Sequence, residues 1–464
     1  MKSSPSLPVV LGVFSLFRLS ATAGRYYVDA LTGCDLNDGS MNAPLASVHA
    51  VNRLELSGGD TVCFAGGQHF VGNMVITGVN ASLQEPLTIT SYGRGRAVID
   101  ARTGTGILIR NCTHVNISGI NMAGRGRKSG NEGSGIDVRN SSFIRISEVE
   151  SDGFLENGIG VYGGSDIRIT DCVARHNGSN GISVSGPWEP RETENVRITR
   201  CVADSNPGNP FNLDNHSGNG IIAGHIRNVT VEYCEAMNNG YDMPREGNGP
   251  VGIWGYECDS LTIRYCYSHD NKTSEKGKDG GGFDLDGGIT NSVMEYNISA
   301  NNEGAGYGLF QFAGAGRWAN NAIRYNVSIS DGSKNSKAGI FVWCDPYNKN
   351  LPLENTEVYG NVCFGYQGSS LTFETGYSKG LLFRDNTFIL RGGQHINGDS
   401  FPDGVTLRGN CFWSETAATA GLPQPVVKED PEARYLNPHI SIPASISIAG
   451  IKAIVHSITA GCQK

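Results

Sequence analysis

Charge is scarce in this chain. Asp, Glu, Lys and Arg make up 18% of the 464 residues, and the net charge is −8, against a usual charged fraction of about a quarter. No long basic run is present, which argues against nucleic acid as a partner. No apolar run long enough to span a bilayer follows the N-terminal segment, which argues against a membrane span. HExxH, GxSxG and P-loop motifs are missing, and the twelve cysteines show neither CxxC nor zinc-type spacing. What the chain has in excess is glycine, at 63 residues. The glycine follows no three-residue period, which excludes collagen. Hydrophobic residues, at 39%, are enough for a core.

The opening MKSSPSLPVVLGVFSLFRLSATAG places Lys2 before an apolar stretch and then Ala21-Thr22-Ala23. This pattern predicts a secretory signal over 1–23 and an extracellular protein. Secretion permits disulfides, and Cys34–Cys63 is the better placed pair. Ten Asn-x-Ser/Thr sequons begin at Asn80, Asn111, Asn116, Asn140, Asn177, Asn215, Asn228, Asn271, Asn297 and Asn326. They are candidates for glycosylation, although most recur at one place in a repeat, which gives them a competing structural meaning.

That repeat dominates the middle of the chain. DIRITDCVARHNG (166–178), NVRITRCVADSNPG (195–208), NVTVEYCEAMNNG (228–240) and SLTIRYCYSHDN (260–271) align, and NSVMEYNISANNEG (291–304) continues them. Each holds a short alternating strand. A second strand follows each one after a Gly- or Asn-rich turn, as in GSGIDVRN (133–140) and NGIGVYGG (157–164). Ile136, Ile159 and Ile182 stand 23 residues apart. A propeller blade needs about 40 or more residues, and the LxxLxL of leucine-rich repeats is absent. An all-β parallel β-helix remains, of about 10–12 coils stacked at about 4.8 Å. Cys172, Cys201, Cys234 and Cys266 occupy one repeat position, which Asn297, Asn326, Asn361, Asn386 and Asn410 then take over. Identical residues at one inward bend predict a buried thiol stack running into an Asn ladder. The expected organisation is an N-terminal cap and first coils over 24–110, the β-helix over 111–413 and a C-terminal capping segment over 414–464. The cap is expected to hold a short helix at about 46–56, and the apolar stretch 440–461 to pack over the far end.

The entry YYVDALTGCDLNDGSMNAPLASVHAVNRLELSGGDTVCFAGGQHF (26–70) resembles the opening of secreted right-handed parallel β-helix proteins of the pectate-lyase-like superfamily. Together with the coils, the resemblance covers roughly residues 25–413. It implies a right-handed solenoid. Members include polysaccharide lyases, glycoside hydrolases, uronate epimerases and non-catalytic adhesins, so it implies no single activity.

In GGGFDLDGG (280–288), alternation turns Phe283 and Leu285 inward and Asp284 and Asp286 outward. A proton-holding carboxyl beside an ionised one can cleave glycosidic bonds. The same pair can bind Ca²⁺ or form a solvated acidic turn; no cofactor is required. The segment is similar to a motif of one pectate-lyase branch, roughly GNGFKLGG, in which the Lys is the base. Asp284 stands at that position here, with Lys276 and Lys278 just before it. In the hydrolase version one aspartate is the acid and the other the base or nucleophile. In the lyase version a carboxylate or Lys278 takes the proton, while Arg317 or Ca²⁺ neutralises the uronate. Trp254, Tyr256, Gln311, Arg317, Phe341 and Trp343 are the candidate substrate contacts. Aromatic faces suit sugar rings and Arg suits an anionic group, while packing under inserted loops competes for the aromatics. The insertions 187–194, 207–219 and 241–250 are expected to wall the groove. His216, His225 and His269 fall in no metal-ligand spacing and read as structural. The expected partner is a polysaccharide or oligosaccharide and the expected state a monomer. A non-catalytic carbohydrate-binding protein and a groove for a small apolar molecule stay open.

Overall fold

The computed structural model describes residues 23–188, 192–334, 338–365, 369–374, 376–392, 396–397, 401–416 and 421–461. The leader expected over 1–23 lies outside the described residues except for Ala23. Among the described residues the chain winds through three parallel sheets of 15, 12 and 14 strands. Each coil visits them in turn. Asn157–Tyr162 lies in the second sheet, Ser165–Thr170 in the first and Val173–Arg175 in the third; Asn180–Ser185 then returns to the second. This is a parallel β-helix.

Local sequence explains the coil. Strands such as Ser165–Thr170 bury Ile167 and Ile169 and leave Arg168 exposed, as period-two alternation requires. Parallel register then stacks like on like. In the second sheet Ile107, Ile136, Ile159, Ile182, Ile221 and Ile253 lie in one fully buried column. Each such side chain contributes roughly 1.5–3 kcal/mol of burial. The column then changes to Phe283 and Tyr307, whose rings stack at 5.3 Å. Bends between the first and third sheets use a left-handed residue, including Tyr233, Tyr265, Tyr296 and Tyr325 at φ 52 to 54°. These four rings stack at 5.2, 5.4 and 5.2 Å along the outside of the corner.

Inside that corner runs the expected ladder. Cys201 and Cys234 donate their backbone N–H groups to the sulfurs of Cys234 and Cys266, and Cys266 donates to Oδ1 of Asn297. Asn297, Asn326, Asn361, Asn386 and Asn410 then each donate backbone N–H and Nδ2 to the next coil, ending on Asp430. A second ladder runs parallel to it through Asn177, Asn206, Asn239, Asn271 and Asn302, ending on Asp331.

Three expectations need correction. Cys34 and Cys63 are both unbridged, Cys34 exposed and Cys63 buried. The ladder thiols are also unbridged, and burial pushes those of Cys201 and Cys234 well above their ordinary value. A maleimide added to the folded protein is therefore expected to label Cys34 and to spare Cys63, Cys172, Cys201, Cys234 and Cys266 until denaturant is added, as peptide mass mapping would show. Four sequons are ladder rungs: Asn177, Asn271, Asn297 and Asn326 are at most 1% exposed, so a folded chain offers no amide there to a glycan. Asn80, Asn111, Asn140, Asn215 and Asn228 are exposed and Asn116 half-buried.

Finally, the helix Ile451–Gly461 does not close the far end. Its Ile451, Val455 and Ile458 pack on the flank of the third sheet against Ile298, Val327, Val362 and Ile389. The far end is met instead by the helix Gln424–Glu429, whose Val426 enters the main core. At the other end the expected helix is a single turn, Val48–Val51, N-capped by Ser47.

Candidate functional site

The outward face of the second sheet carries a cleft of about 700 Å³ over the coils in which the buried column turns aromatic. Register fixes its floor. Trp254, Asp284, Gly308 and Phe341 stand side by side on neighbouring strands, and Phe310 stands beside Trp343 and then Glu374. Phe310 packs edge-on to Phe341 at 5.3 Å and to Trp343 at 6.3 Å. Gly308 matters here for space: a Cβ would meet the Phe310 ring at 2.7 Å and Oδ1 of Asp284 at 3.0 Å. Its absence lets a carboxyl and an aromatic edge share one rung.

Asp284 is 3% exposed, and its Oδ1 is buried without a hydrogen-bond partner. Burial, with Asp286 and Asp279 nearby, raises its pKa well above the ordinary carboxyl value. Asp286 is pushed up to about 7, chiefly by burial. The N–H of Gly287, 2.8 Å from Oδ1 of Asp286, opposes that rise, while Asp279 and Glu257 add to it. Asp279 also lines the cleft and accepts from the backbone N–H of Gly249 at 2.7 Å. The floor therefore presents two neighbouring carboxyls whose protons are held above the ordinary carboxyl range, Asp286 near its midpoint at neutral pH, and raised carboxyl pKa values suit acid–base work.

His216 has more than the structural place its spacing implies, because it lines this cleft. Asn219 orients it. The Oδ1 of Asn219 accepts from the Trp254 indole at 3.0 Å and from the backbone N–H of Val251 at 3.1 Å. Both partners are donors only, so the Nδ2 of Asn219 must face His216 Nδ1, 3.0 Å away, and Asn180, 2.8 Å away. Burial, with a smaller push from Arg245, lowers the pKa of His216 to about 4. The imidazole is thus neutral, Nδ1 accepts, and Nε2 carries the proton. Its ring meets Trp254 edge-on at 4.9 Å.

The other sequence candidates divide. Asp284, Asp286, Lys278, Trp254, Phe341 and Trp343 all line the cleft, Lys278 at its exposed rim. Tyr256 sits behind Trp254, against His225 at 5.0 Å, and is not a lining residue. Gln311 is a correction: Leu309 points in, so Phe310 points out and Gln311 in. It is fully buried, accepting from the N–H of Gly288 and donating to the carbonyls of Gly316 and Leu351. Arg317 is a second correction. It is engaged by Glu354 at 2.9 Å and does not reach the cleft lining. Of the expected loop walls, 207–219 supplies His216, and 241–250 supplies Asn248 and Gly249. Residues 189–191 of the third lie outside the described residues. His269 is held by Asp270 and Glu235 away from the cleft. Among the described residues, no three His, Cys, Asp or Glu side chains converge as a metal-holding group.

This architecture matches a known family. The profile described as "Right handed beta helix region" covers residues 72–224 and 134–346, together more than half of the chain. The chain belongs to that family, with the pectate-lyase-like fold. A comparison with curated proteins gave no match. Among solved structures it is similar to the GH136 lacto-N-biosidase from Eubacterium ramulus, at 17% identity and TM-score 0.46, covering 84% of this chain and 67% of that one. It is also similar to the A-module of the Azotobacter vinelandii mannuronan C-5 epimerase, at 12% identity and TM-score 0.49, covering 75% and 91%. A mannuronic-acid-specific family 6 polysaccharide lyase from human gut microbiota matches at 15% identity and TM-score 0.44, covering 85% and 81%.

Proposed function

We propose that this protein is a secreted carbohydrate-active enzyme that cleaves glycosidic bonds in the second-sheet cleft. Asp284 is the acid, Asp286 the base, and Trp254, Phe310, Phe341 and Trp343 are the walls for sugar rings. The observation that supports this most is the buried, unpartnered Oδ1 of Asp284 at the floor of an aromatic cleft. A carboxyl kept for stability is paired; one left unpaired costs stability and marks a functional site.

The test is incubation of the chain from Gly24 with a polysaccharide panel, with and without Ca²⁺. Reducing ends are read together with absorbance at about 235 nm, where an unsaturated uronate formed by elimination from a carboxylated sugar absorbs. New reducing ends support the proposal; a panel with neither signal removes the assigned roles of the aspartates. The pH profile is a sharper check. Asp286 must be ionised to act as base, so kcat/KM is expected to rise tenfold per unit below pH 7 and to level off as Asp286 titrates at about 7. It should fall again at higher pH as Asp284 loses its proton. A profile already flat at pH 5 would assign the base to a group other than Asp286. Secretion is checked by sequencing the N-terminus of protein collected from the medium, expected to begin at Gly24.

A further inference from the structure

One amide holds two lining groups of the cleft at once. Asn219 opens the strand Asn219–Gly224 and is fully buried. Its Oδ1 accepts from the Trp254 indole and from the backbone N–H of Val251, and its Nδ2 donates to Oδ1 of Asn180 and to Nδ1 of His216. Both of its lone pairs and both of its protons are thereby used. Turning the amide over would set Nδ2 against two donors, so its orientation is fixed. The row continues behind it, because Nδ2 of Asn180 donates to Oδ1 of Asn157 at 2.7 Å. The loop that carries His216 is pinned as well: Ser217 is fully buried, and its Oγ accepts from the N–H of Asn209 at 2.9 Å. The imidazole therefore has its acceptor at Nδ1 and its proton at Nε2. Among the described residues none accepts from Nε2, and Nε2 is not a sealed atom. A neutral imidazole in this state gives a hydrogen bond at Nε2 and cannot take a proton there.

We infer that His216 donates from Nε2 to a hydroxyl or ring oxygen of the sugar seated against Trp254, and that Asn219 is the positioning residue that sets both groups. This rests on the saccharide-cleaving reading of the same cleft. Trp254 stands beside Asp284 on the next strand, and the His216 ring meets it edge-on at 4.9 Å, so the indole links the imidazole to the carboxyl pair. The charge of the donor matters as much as its place. An imidazolium in this cleft would favour ionised carboxylates and draw the pKa values of Asp284 and Asp286 down. Protonation at Nδ1 would set an N–H against Nδ2 of Asn219, and burial together with Arg245 opposes the added charge. The titratable groups that share the lining with His216 are Lys278, Asp279, Asp284, Asp286 and Glu374, and Asp214 on its own loop is exposed. His216 exchanges no proton in the reaction; the acid and the base stay Asp284 and Asp286.

The lock and the donor are tested separately. The lock is read from long-range proton–nitrogen correlation spectra of protein labelled with nitrogen-15 histidine, followed from about pH 5 to about pH 8. The unmodified chain is expected to show His216 neutral, with Nε2 protonated, throughout. Asn219→Asp still accepts from Trp254 and Val251 but turns an oxygen toward Nδ1. It is expected to move the proton to Nδ1 and to raise the titration of His216 to its ordinary 6.5 or above. An Nδ1-protonated neutral imidazole in the unmodified chain, or an unchanged spectrum in Asn219→Asp, overturns the positioning role. The donor is read from kinetics and calorimetry, with polygalacturonate, alginate, xylan, β-glucan and galactan oligosaccharides as probes. His216→Phe keeps a ring against Trp254 and removes the donor. On any probe that is bound or cleaved it is expected to weaken affinity or kcat/KM by about five- to tenfold, chiefly through KM, the usual worth of one hydrogen bond between uncharged groups. His216→Gln returns an N–H near the place of Nε2 and is expected to recover most of that loss. His216→Phe equal to the unmodified chain, or His216→Gln no better than His216→Phe, overturns the donor role and leaves the saccharide-cleaving reading standing. A cleft that neither binds nor cleaves any probe overturns that reading and the donor role with it, while the spectra still decide the lock.

Discussion

Replacing Asp284 by asparagine is expected to make the protein more stable and almost inactive. The folded state holds the Asp284 carboxyl with a raised pKa, chiefly because it is buried. Between its unfolded pKa and its folded one, the folded state binds more protons than the unfolded state. Stability therefore falls as pH rises through that interval. The amide cannot ionise, so the variant escapes the loss. Its advantage should be small near pH 4 and largest above pH 7, read as the difference in denaturant midpoint at the two ends. Turnover should drop by about 10²–10⁴-fold, the usual worth of a positioned acid or base. Turnover within tenfold of the unmodified chain, or a stability gain that does not grow with pH, would remove Asp284 from its role.

The largest structural effect is expected at a ladder rung. Asn326 accepts from the N–H and Nδ2 of Asn297, and its own Nδ2 donates to the carbonyl of Met294 and to Asn361. Asn326→Ala strips partners from groups that no water reaches, since Asn297, Asn326 and Asn361 are at most 1% exposed. At about 1–3 kcal/mol for each buried group left unsatisfied, the cost should be roughly 3–6 kcal/mol. Asn116→Ala makes the same chemical change at a half-buried outer position, and there the effect should stay within about 0.5 kcal/mol. Chemical denaturation of the two variants side by side checks this. Equal midpoints would mean that the ladder is ornamental.

Much of this was legible in the sequence because the fold repeats. Strand alternation and the Cys-to-Asn column are periodic, so each coil confirms the last. The outward aspect of Asp284 followed from Phe283 and Leu285 alone. The second Asn ladder was equally visible but not read: its rungs lie five residues after those of the first, as Asn177 does after Cys172 and Asn302 after Asn297. Gln311 was misplaced through a polar bias. The alternation set by Leu309 already turned Phe310 outward, and a buried Gln made useful by three backbone partners looks no different in a string of letters. His216 was beyond reach. It belongs to an inserted loop, and only the path of that loop across two coils brings it to Trp254. Arg317 failed for a related reason, since its partner Glu354 comes from the following coil.

Both ladders stop at an aspartate, and this limits how each ladder can lengthen. Every Asn rung accepts from the preceding coil and hands a donor to the following one, so any two neighbours would admit a copied coil between them. Asp331 takes two bonds from Asn302 and one from Ser328, and Asp430 takes two from Asn410 and one from Gly409. A carboxylate has no donor to pass on. Gene duplication inside the array can therefore add coils without redesign, while a coil appended beyond these acids inherits no donor from them. Past Asp331 the rod runs on through the coils of Asn361, Asn386 and Asn410 on the first ladder alone, so each acid is a full stop for its own row of amides, and the polarity of that row sets the direction in which it can be extended.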